Sequence, residues 1–294
     1  MPRCLEDLKD APSWLSLPHV HMKNPFNVLE KINSIASGGP EKLQLIIDFD
    51  RTLTKSQENG ILTKSTFCLL ENYPSVNEEI RLKLKRNLDK YLPIEIDPKL
   101  TVEEKIPFMV EWWEMGIEYM KGVEWNIDDV DKYLRQNRQP FRDHTKDCLE
   151  QLQNTKVPVL VFSAGIGEVV KLSLKHEGFL TDNVHIVSNF LRVEDGKIAG
   201  CQGDIIHVFN KNEQLIQNTT YYSELSGRSN VILLGDSVGD AKMADGVPHD
   251  TVLKIGFLNN HIEEALEQYK ELFDIVLTDD QTMDVLLHIL KRTL

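Results

Sequence analysis

"LIIDFDRTLT", residues 45–54, sets a run of apolar residues directly against two aspartates separated by one position. A short apolar run of this kind reads as a strand buried on both faces, and period-2 alternation puts Asp48 and Asp50 on one side with Phe49 turned the other way. Two carboxylates so close do not both stay ionised cheaply unless a cation lies between them or one holds a proton. The stretch therefore asks for a sheet around it and a positive charge at its end.

The sheet is legible further on. Short apolar runs at "VPVLVFSAG" (157–165), "VHIVSNFL" (184–191), "NVILLGDS" (230–237), "TVLKIGFL" (251–258) and "FDIVLTDD" (273–280) alternate with helical stretches. That pattern predicts an α/β fold with a Rossmann-like parallel sheet. Asp195-Gly196 marks a hairpin within 192–210. Residues 55–156 differ in kind, with long helical patterns such as "NEEIRLKLKRNLDKYL" and "TVEEKIPFMVEWWEMGIEYMK". Thr101 and Glu104 fit a capping box, and Pro107 should kink the helix they open. The expected organisation is a core of residues 1–54 and 157–294, with a helical cap inserted at 55–156. Residues 1–26 read as an extended arm, followed by a helix at 27–39.

Of 294 residues, 46 are acidic and 33 basic, a formal net charge of -13. Such a balance argues against binding a nucleic-acid polymer or an anionic membrane, so an anionic substrate would have to be held by local charge or by a metal. Cys4, Cys68, Cys148 and Cys201 are scattered without metal-like spacing, which predicts reduced thiols. The first 25 residues lack the apolar stretch of a secretory signal, and no segment approaches the roughly 20 apolar residues of a membrane span. A soluble, cytoplasmic monomer is expected.

In parallel α/β sheets ligands bind outside the carboxyl ends of the strands. Asp48 and Asp50, Ser163, and Asp236 with Asp240 all fall at such ends. Accumulated carboxylates suit Mg2+, a hard cation that prefers oxygen ligands, and carboxylates with Mg2+ suit phosphoryl transfer. One aspartate can serve as nucleophile and a second, two residues on, as acid and base. Ser163, with the amides of Ala164 and Gly165 at a helix start, is suited to phosphate oxygens, and Lys211 supplies positive charge. Taken singly these residues are ordinary turn, cap and surface positions; their succession at strand ends points to one site.

"DFDRT", the serine of "FSAG", a lysine and "GDSVGD" together resemble the four-motif set of the haloacid-dehalogenase-like phosphatases. "YLPIEIDPKLTVEEKIPFMVEWW", "VFSAGIGEVV", "IIHVFNK" and "NVILLGDSVGDAKMADGV" resemble the cytosolic 5′-nucleotidase III family across nearly all of residues 40–290. The resemblance implies a nucleoside 5′-monophosphate substrate, with Asp48 as nucleophile and Asp50 as acid and base. It implies Asp236, Asp48 and the Asp50 carbonyl as Mg2+ ligands, supported by Asp240 behind them. It also implies Ser163, Ala164 and Lys211 at the phosphate and Glu95, with aromatic cap residues, at the base.

In "LPIEIDP" Glu95 lies between two isoleucines and is expected to project opposite to them, where it can accept hydrogen bonds from guanine or from the cytosine amino group. Trp112 and Trp113 lie about 100° apart on a helix. Phe108, Trp112, Met115 and Tyr119 form the stripe expected to pack; Met109, Trp113 and Gly116 form its neighbour, with Gly116 leaving room over the Trp113 indole. Trp113 is thus the expected stacking residue. An indole and Glu95 together favour a positively charged methylated guanine, and the Trp-Trp pair resembles the branch of the family acting on 7-methylguanosine monophosphate. The expected substrates are that nucleotide and CMP. Open alternatives are a pyrimidine-specific nucleotidase, a broad phosphomonoesterase and a non-enzymatic nucleotide-binding module. Phosphoryl transfer to another alcohol is also left open.

Overall fold

Leu43–Ile47 forms a strand with all five residues buried, because sheet neighbours lie on both edges and packed layers on both faces. The computed structural model describes residues 12–97, 99–216, 221–222 and 225–294. Cys4 and the first 11 residues of the arm lie outside the described residues.

In chain order, strand β1 (Val20–His21) precedes helix α1 (Pro25–Gly38) and β2 (Leu43–Ile47). Helix α1 opens two residues before the sequence reading placed it, because Asn24 caps it and Pro25 occupies its first turn. A small hairpin, β3 (Gln57–Glu58) and β4 (Ile61–Leu62), leads into α2 (Thr66–Glu71), α3 (Glu78–Ile96), α4 (Val102–Met120) and α5 (Ile127–Gln136). The chain continues through α6 (Thr145–Asn154), β5 (Val159–Ile166), α7 (Gly167–His176) and β6 (Val184–Asn189). It then forms the hairpin β7 (Leu191–Glu194) and β8 (Lys197–Cys201). The last elements are β9 (Asn230–Gly235), β10 (Thr251–Leu258), α8 (Ile262–Leu272), β11 (Ile275–Thr278) and α9 (Asp284–Thr293).

The main sheet runs β1-β11-β10-β9-β2-β5-β6, parallel throughout except for β1. Alternate residues feed two cores: Leu43, Leu45 and Ile47 pack with α1, α6 and α9, whereas Ile46 joins Leu160, Phe162 and Leu233 on the other face. The expected α/β sheet is present, and its strand order brings β9, β2 and β5 side by side. Asp195 and Gly196 turn the β7–β8 hairpin with φ of 49° and 72°, as a type I′ turn requires.

A third core joins α2, α3, α4 and α5 to α7 and to the β7–β8 hairpin. Its two connections to the sheet run side by side: Thr54 bridges Phe141, and the Lys55 amide donates to the Pro140 carbonyl at 2.8 Å. Helix α6, assigned to the cap by its helical pattern, instead buries Cys148, Leu149 and Leu152 in the sheet's core. Periodicity reports that a helix has an apolar face and not which core receives it.

Helix α4 bears out the capping box, with the Glu104 amide on Thr101 Oγ1 at 3.2 Å and the Thr101 amide on Glu104 Oε2 at 2.8 Å. It runs unbroken through Pro107. Its buried stripe is Met109, Gly116, Ile117 and Met120, and Phe108 is 39% exposed, so the packing face is rotated from the one the sequence suggested. Phe67 occupies the space beside Gly116, where an added Cβ would meet its ring at 3.4 Å; that room is not left over Trp113.

Candidate active site

Strand β2 ends at Ile47, and the chain after it turns tightly. Arg51 adopts φ 62° and ψ 5°, a left-handed conformation that is costly outside glycine and asparagine. The turn is overdetermined. The Arg51 amide donates to Thr54 Oγ1 at 2.8 Å, the Thr54 amide to the Phe49 carbonyl at 3.1 Å, and the buried Arg142 side chain to the Arg51 and Thr52 carbonyls. Arg142 also lies 3.8 Å over the Phe257 ring. A strained, pinned turn of this kind presents side chains at fixed angles.

Asp48 is buried, and its Oδ1 accepts from Lys211 Nζ at 2.6 Å. The same ammonium pairs with Asp240 Oδ1 at 2.6 Å and donates to the Phe162 carbonyl at 3.1 Å. Asp240 Oδ2 takes the Asp236 amide at 3.2 Å, the Ser237 amide at 2.9 Å and the Ser237 hydroxyl at 2.8 Å, so its second oxygen shapes the loop. Gly235 makes this possible: a Cβ there would lie 2.2 Å from the Asp240 Cβ. One oxygen from each of Asp48, Asp236 and Asp240 lies within 4.8 Å of the others.

Burial raises the Asp48 carboxyl, with Lys211 opposing and Asp240 reinforcing the shift. Burial likewise raises Asp236, and Asp48 and Asp240 raise it further. Burial alone would lower Lys211, but Asp240 and Asp48 hold it firmly protonated. Three desolvated carboxylates against one ammonium leave uncompensated negative charge, which fits a divalent cation held by oxygen.

Asp50 stands apart from that cluster. Its Oδ1 accepts from the Thr66 amide and from Gln139 Nε2, each at 2.9 Å, and its Oδ2 from the Thr66 hydroxyl at 2.6 Å. Burial raises its carboxyl while these donors hold it down. Thr66 opens α2 and Gln139 lies just before the returning connection. Both were missed in the sequence, where neither residue carries a motif and only the folded insertion brings them to Asp50.

Ser163 is buried and its Oγ accepts from the Gly165 amide at 3.0 Å, so that amide is already engaged. Ser163 and Ala164 lie within β5, which runs on to Ile166, and α7 starts only at Gly167; the expected helix start at 164 is corrected by three residues. The Ala164 carbonyl accepts from Asn189 Nδ2 at 2.8 Å, and Asn189 also binds both the amide and the carbonyl of Ile206. Asn189 thereby ties the loop bearing Lys211 to the end of β5. Nothing in the sequence singled it out.

Glu95 sits in the last turn of α3, which continues through the solvent-exposed Pro93 to Ile96. It is helical rather than extended, so the alternation used to orient it does not apply. Burial raises its carboxyl, and Arg51 and then Lys105 hold it down, with Asp240 adding a raising field. The end of α3 thus shares an electrostatic field with Arg51 and Asp240. Trp112 stacks on Tyr91 at 5.8 Å and 18°, whereas Trp113 is half-buried and meets Phe67 nearly edge-on at 5.5 Å and 81°.

The chain resembles known proteins over almost its whole length. A 7-methylguanosine phosphate-specific 5′-nucleotidase of Drosophila melanogaster is 41% identical over 281 residues, covering 95% of this chain and 88% of the relative. The Homo sapiens protein of the same name is 40% identical over 289 residues, covering 98% and 96%. The crystal structure of cytosolic 5′-nucleotidase IIIB bound to cytidine superposes with a TM-score of 0.90 at 39% identity, covering 98% of both chains. A substrate-bound phosphoserine phosphatase shares the fold at 20% identity and a TM-score of 0.53, over 84% of this chain and 97% of that one. The family model for pyrimidine 5′-nucleotidase (UMPH-1) matches residues 51–294. The chain belongs to that family, and it is a 5′-nucleotidase built on the haloacid-dehalogenase-like fold.

Proposed function

We propose that this 5′-nucleotidase hydrolyses 7-methyl-GMP by preference and accepts CMP, using Mg2+ and a phosphoaspartate on Asp48. The observation that carries the chemistry is the buried Asp48–Lys211–Asp240 chain beside Asp236, with Asp50 held separately by Thr66 and Gln139. Asp48, Asp236 and the Asp50 carbonyl would hold the ion, with Asp240 fixing the loop behind them. When bound, Mg2+ offsets the charge of the phosphoryl group and of the carboxylates around it.

Lys211 holds Asp48 Oδ1 and so orients the carboxylate, whose attack on phosphorus breaks the bond to the 5′-oxygen. Asp50 gives its proton to that leaving oxygen, and then takes one from the water that hydrolyses the phosphoaspartate and releases phosphate. Ser163, Ala164 and Lys211 line the phosphate end. Glu95 accepts hydrogen bonds from the base and Trp113 stacks on it; Trp112 is already engaged by Tyr91. The helical insertion between the paired connections at 54–55 and 140–141 acts as a cap over the cleft. A relative from Caenorhabditis elegans is named a putative cytosolic 5′-nucleotidase. Among the described residues no helix is long and apolar enough to cross a membrane, and we place the activity in the cytosol.

The test is kcat/KM for 7-methyl-GMP, GMP, CMP and UMP with Mg2+. The methylated base should exceed GMP, and Asp48→Asn should abolish phosphate release with the fold intact. Equal rates for 7-methyl-GMP and GMP would sink the base preference, and unchanged release by Asp48→Asn would sink the nucleophile.

A further inference from the structure

Lys105 lies in the first turn of α4, yet it is only 6% exposed. An ammonium is rarely desolvated without a task, since burial penalises its charged form. Its Nζ donates to the Glu95 carbonyl at 2.8 Å, closing the last turn of α3, and lies 5.7 Å from the centroid of the Phe209 ring. Phe209 stands two residues before Lys211, on the loop that Asn189 fastens to the sheet. One cationic side chain therefore meets both the cap helix bearing Glu95 and the core loop bearing the active-site lysine.

The charges around it are consistent with a joint. The Asp97 and Glu95 carboxylates act on Lys105 and oppose its desolvation, and Arg51 and Asp240 act on Glu95 from the core side. A carbonyl at a helix C-terminus is a natural acceptor for a cation, and an aromatic face is a second partner that needs no exact donor angle.

We propose that Lys105 is a positioning residue for base recognition: by holding the end of α3 against Phe209 it sets where the Glu95 carboxylate stands. It governs how tightly the nucleobase is held and takes no part in breaking the phosphate ester. The inference rests on the reading that Glu95 meets the base.

The experiment compares CMP and 7-methyl-GMP with p-nitrophenyl phosphate, which has no base, on the full chain with Mg2+. Lys105→Met should raise KM for both nucleotides roughly tenfold, the size of a lost charge-assisted hydrogen bond, with kcat little changed. Turnover of p-nitrophenyl phosphate should be unaffected. Lys105→Arg should restore most of the nucleotide affinity, and Phe209→Leu, which loosens the joint from the core side, should mimic Lys105→Met in weaker form. The double variant Glu95→Gln/Lys105→Met should lose no more than Glu95→Gln alone. Equal losses on nucleotides and p-nitrophenyl phosphate, or an unchanged nucleotide KM, would overturn the proposal. If Lys105→Met does not fold, Lys105→Arg and Phe209→Leu decide it on the same readout. Normal nucleotide KM in Glu95→Gln overturns the reading of Glu95 itself, whereas loss in Glu95→Gln with none in Lys105→Met overturns only the role of Lys105.

Discussion

Lys211 shows how much one side chain can be asked to hold. It is 3% exposed and compensates two carboxylates at 2.6 Å each. Replacing it with methionine leaves desolvated negative charge without its partner, a change that typically costs about 3–5 kcal/mol. In metal-free protein at pH 7.5, urea denaturation of Lys211→Met should show a loss of that order. The deficit should shrink as pH falls, because the buried carboxyls, already raised by burial, then take up protons and no longer need the ammonium. A pH-independent deficit would mean that packing, rather than charge, is what Lys211 contributes. Asp48, Asp236 and Asp240 were legible in the sequence because each follows an apolar run that reads as a strand, and neighbouring strand ends bring them together; Asp50, two residues from Asp48, instead turns away to Thr66 and Gln139. Thr66, Gln139 and Asn189 were not legible, because each acts by a hydrogen bond to a residue far away in the chain, and no local pattern records such a partner.

Elements deliver these residues, and two of them can be tested. The end of β5 passes so close to α2 that a Cβ on Gly165 would lie 2.0 Å from Thr66 Oγ1 and 3.1 Å from Asp50 Oδ2. Gly165→Ala should therefore displace the donor that holds Asp50 and lower kcat by about 10², the usual cost of a displacement near 1 Å, with little change in Tm. A kcat near wild type would show that Asp50 does not depend on that contact. The loop from β8 to Lys211 carries its own sensitivity. His207 is buried and its Nδ1 accepts from the Phe209 amide at 3.2 Å, and burial lowers its pKa from 6.5. A depressed value means that its contribution is complete above pH 6.5 and is lost as pH falls through the folded-state value. The fall in unfolding free energy between pH 7.5 and 5.5 should be smaller in His207→Asn than in wild type; identical slopes would assign the acid sensitivity elsewhere. Strands β5, β9 and β11 were readable because burial on both faces leaves continuous apolar runs. The last turn of α3 was misread because Pro93 suggests an end, although it faces solvent, where water can serve the carbonyl that loses its partner. The packing face of α4 was misread because Phe108, Trp112 and Met115 look more apolar than the stripe built around Gly116, which is buried by closeness to Phe67.

At the scale of the molecule, the sheet and the helices of the third core meet along one seam, and α6, read from the sequence with those helices, packs into the sheet's core instead. Sixteen residues of helical pattern and connection after Pro140 return to the sheet, and composition does not distinguish one core from the other. The far edge of the sheet is finished by a different device. Strand β1 contributes only Val20 and His21, paired antiparallel with Leu277 and Val276, and the Thr278 amide donates to the His19 carbonyl at 3.0 Å. Behind that two-residue hem stands β11, whose Ile275, Val276 and Leu277 are buried. An uncovered strand of this composition is a template for pairing with other chains. A protease cut between residues 12 and 24 should leave nucleotide turnover nearly intact at first, and then make the protein polymerise edge to edge, seen as rising light scattering at constant specific activity of the soluble fraction. A clipped protein that stays monodisperse would show that the hem is dispensable. The N-terminal hem, four strands from β2 in the sheet, is expected on that ground to govern the shelf life of the enzyme rather than its rate.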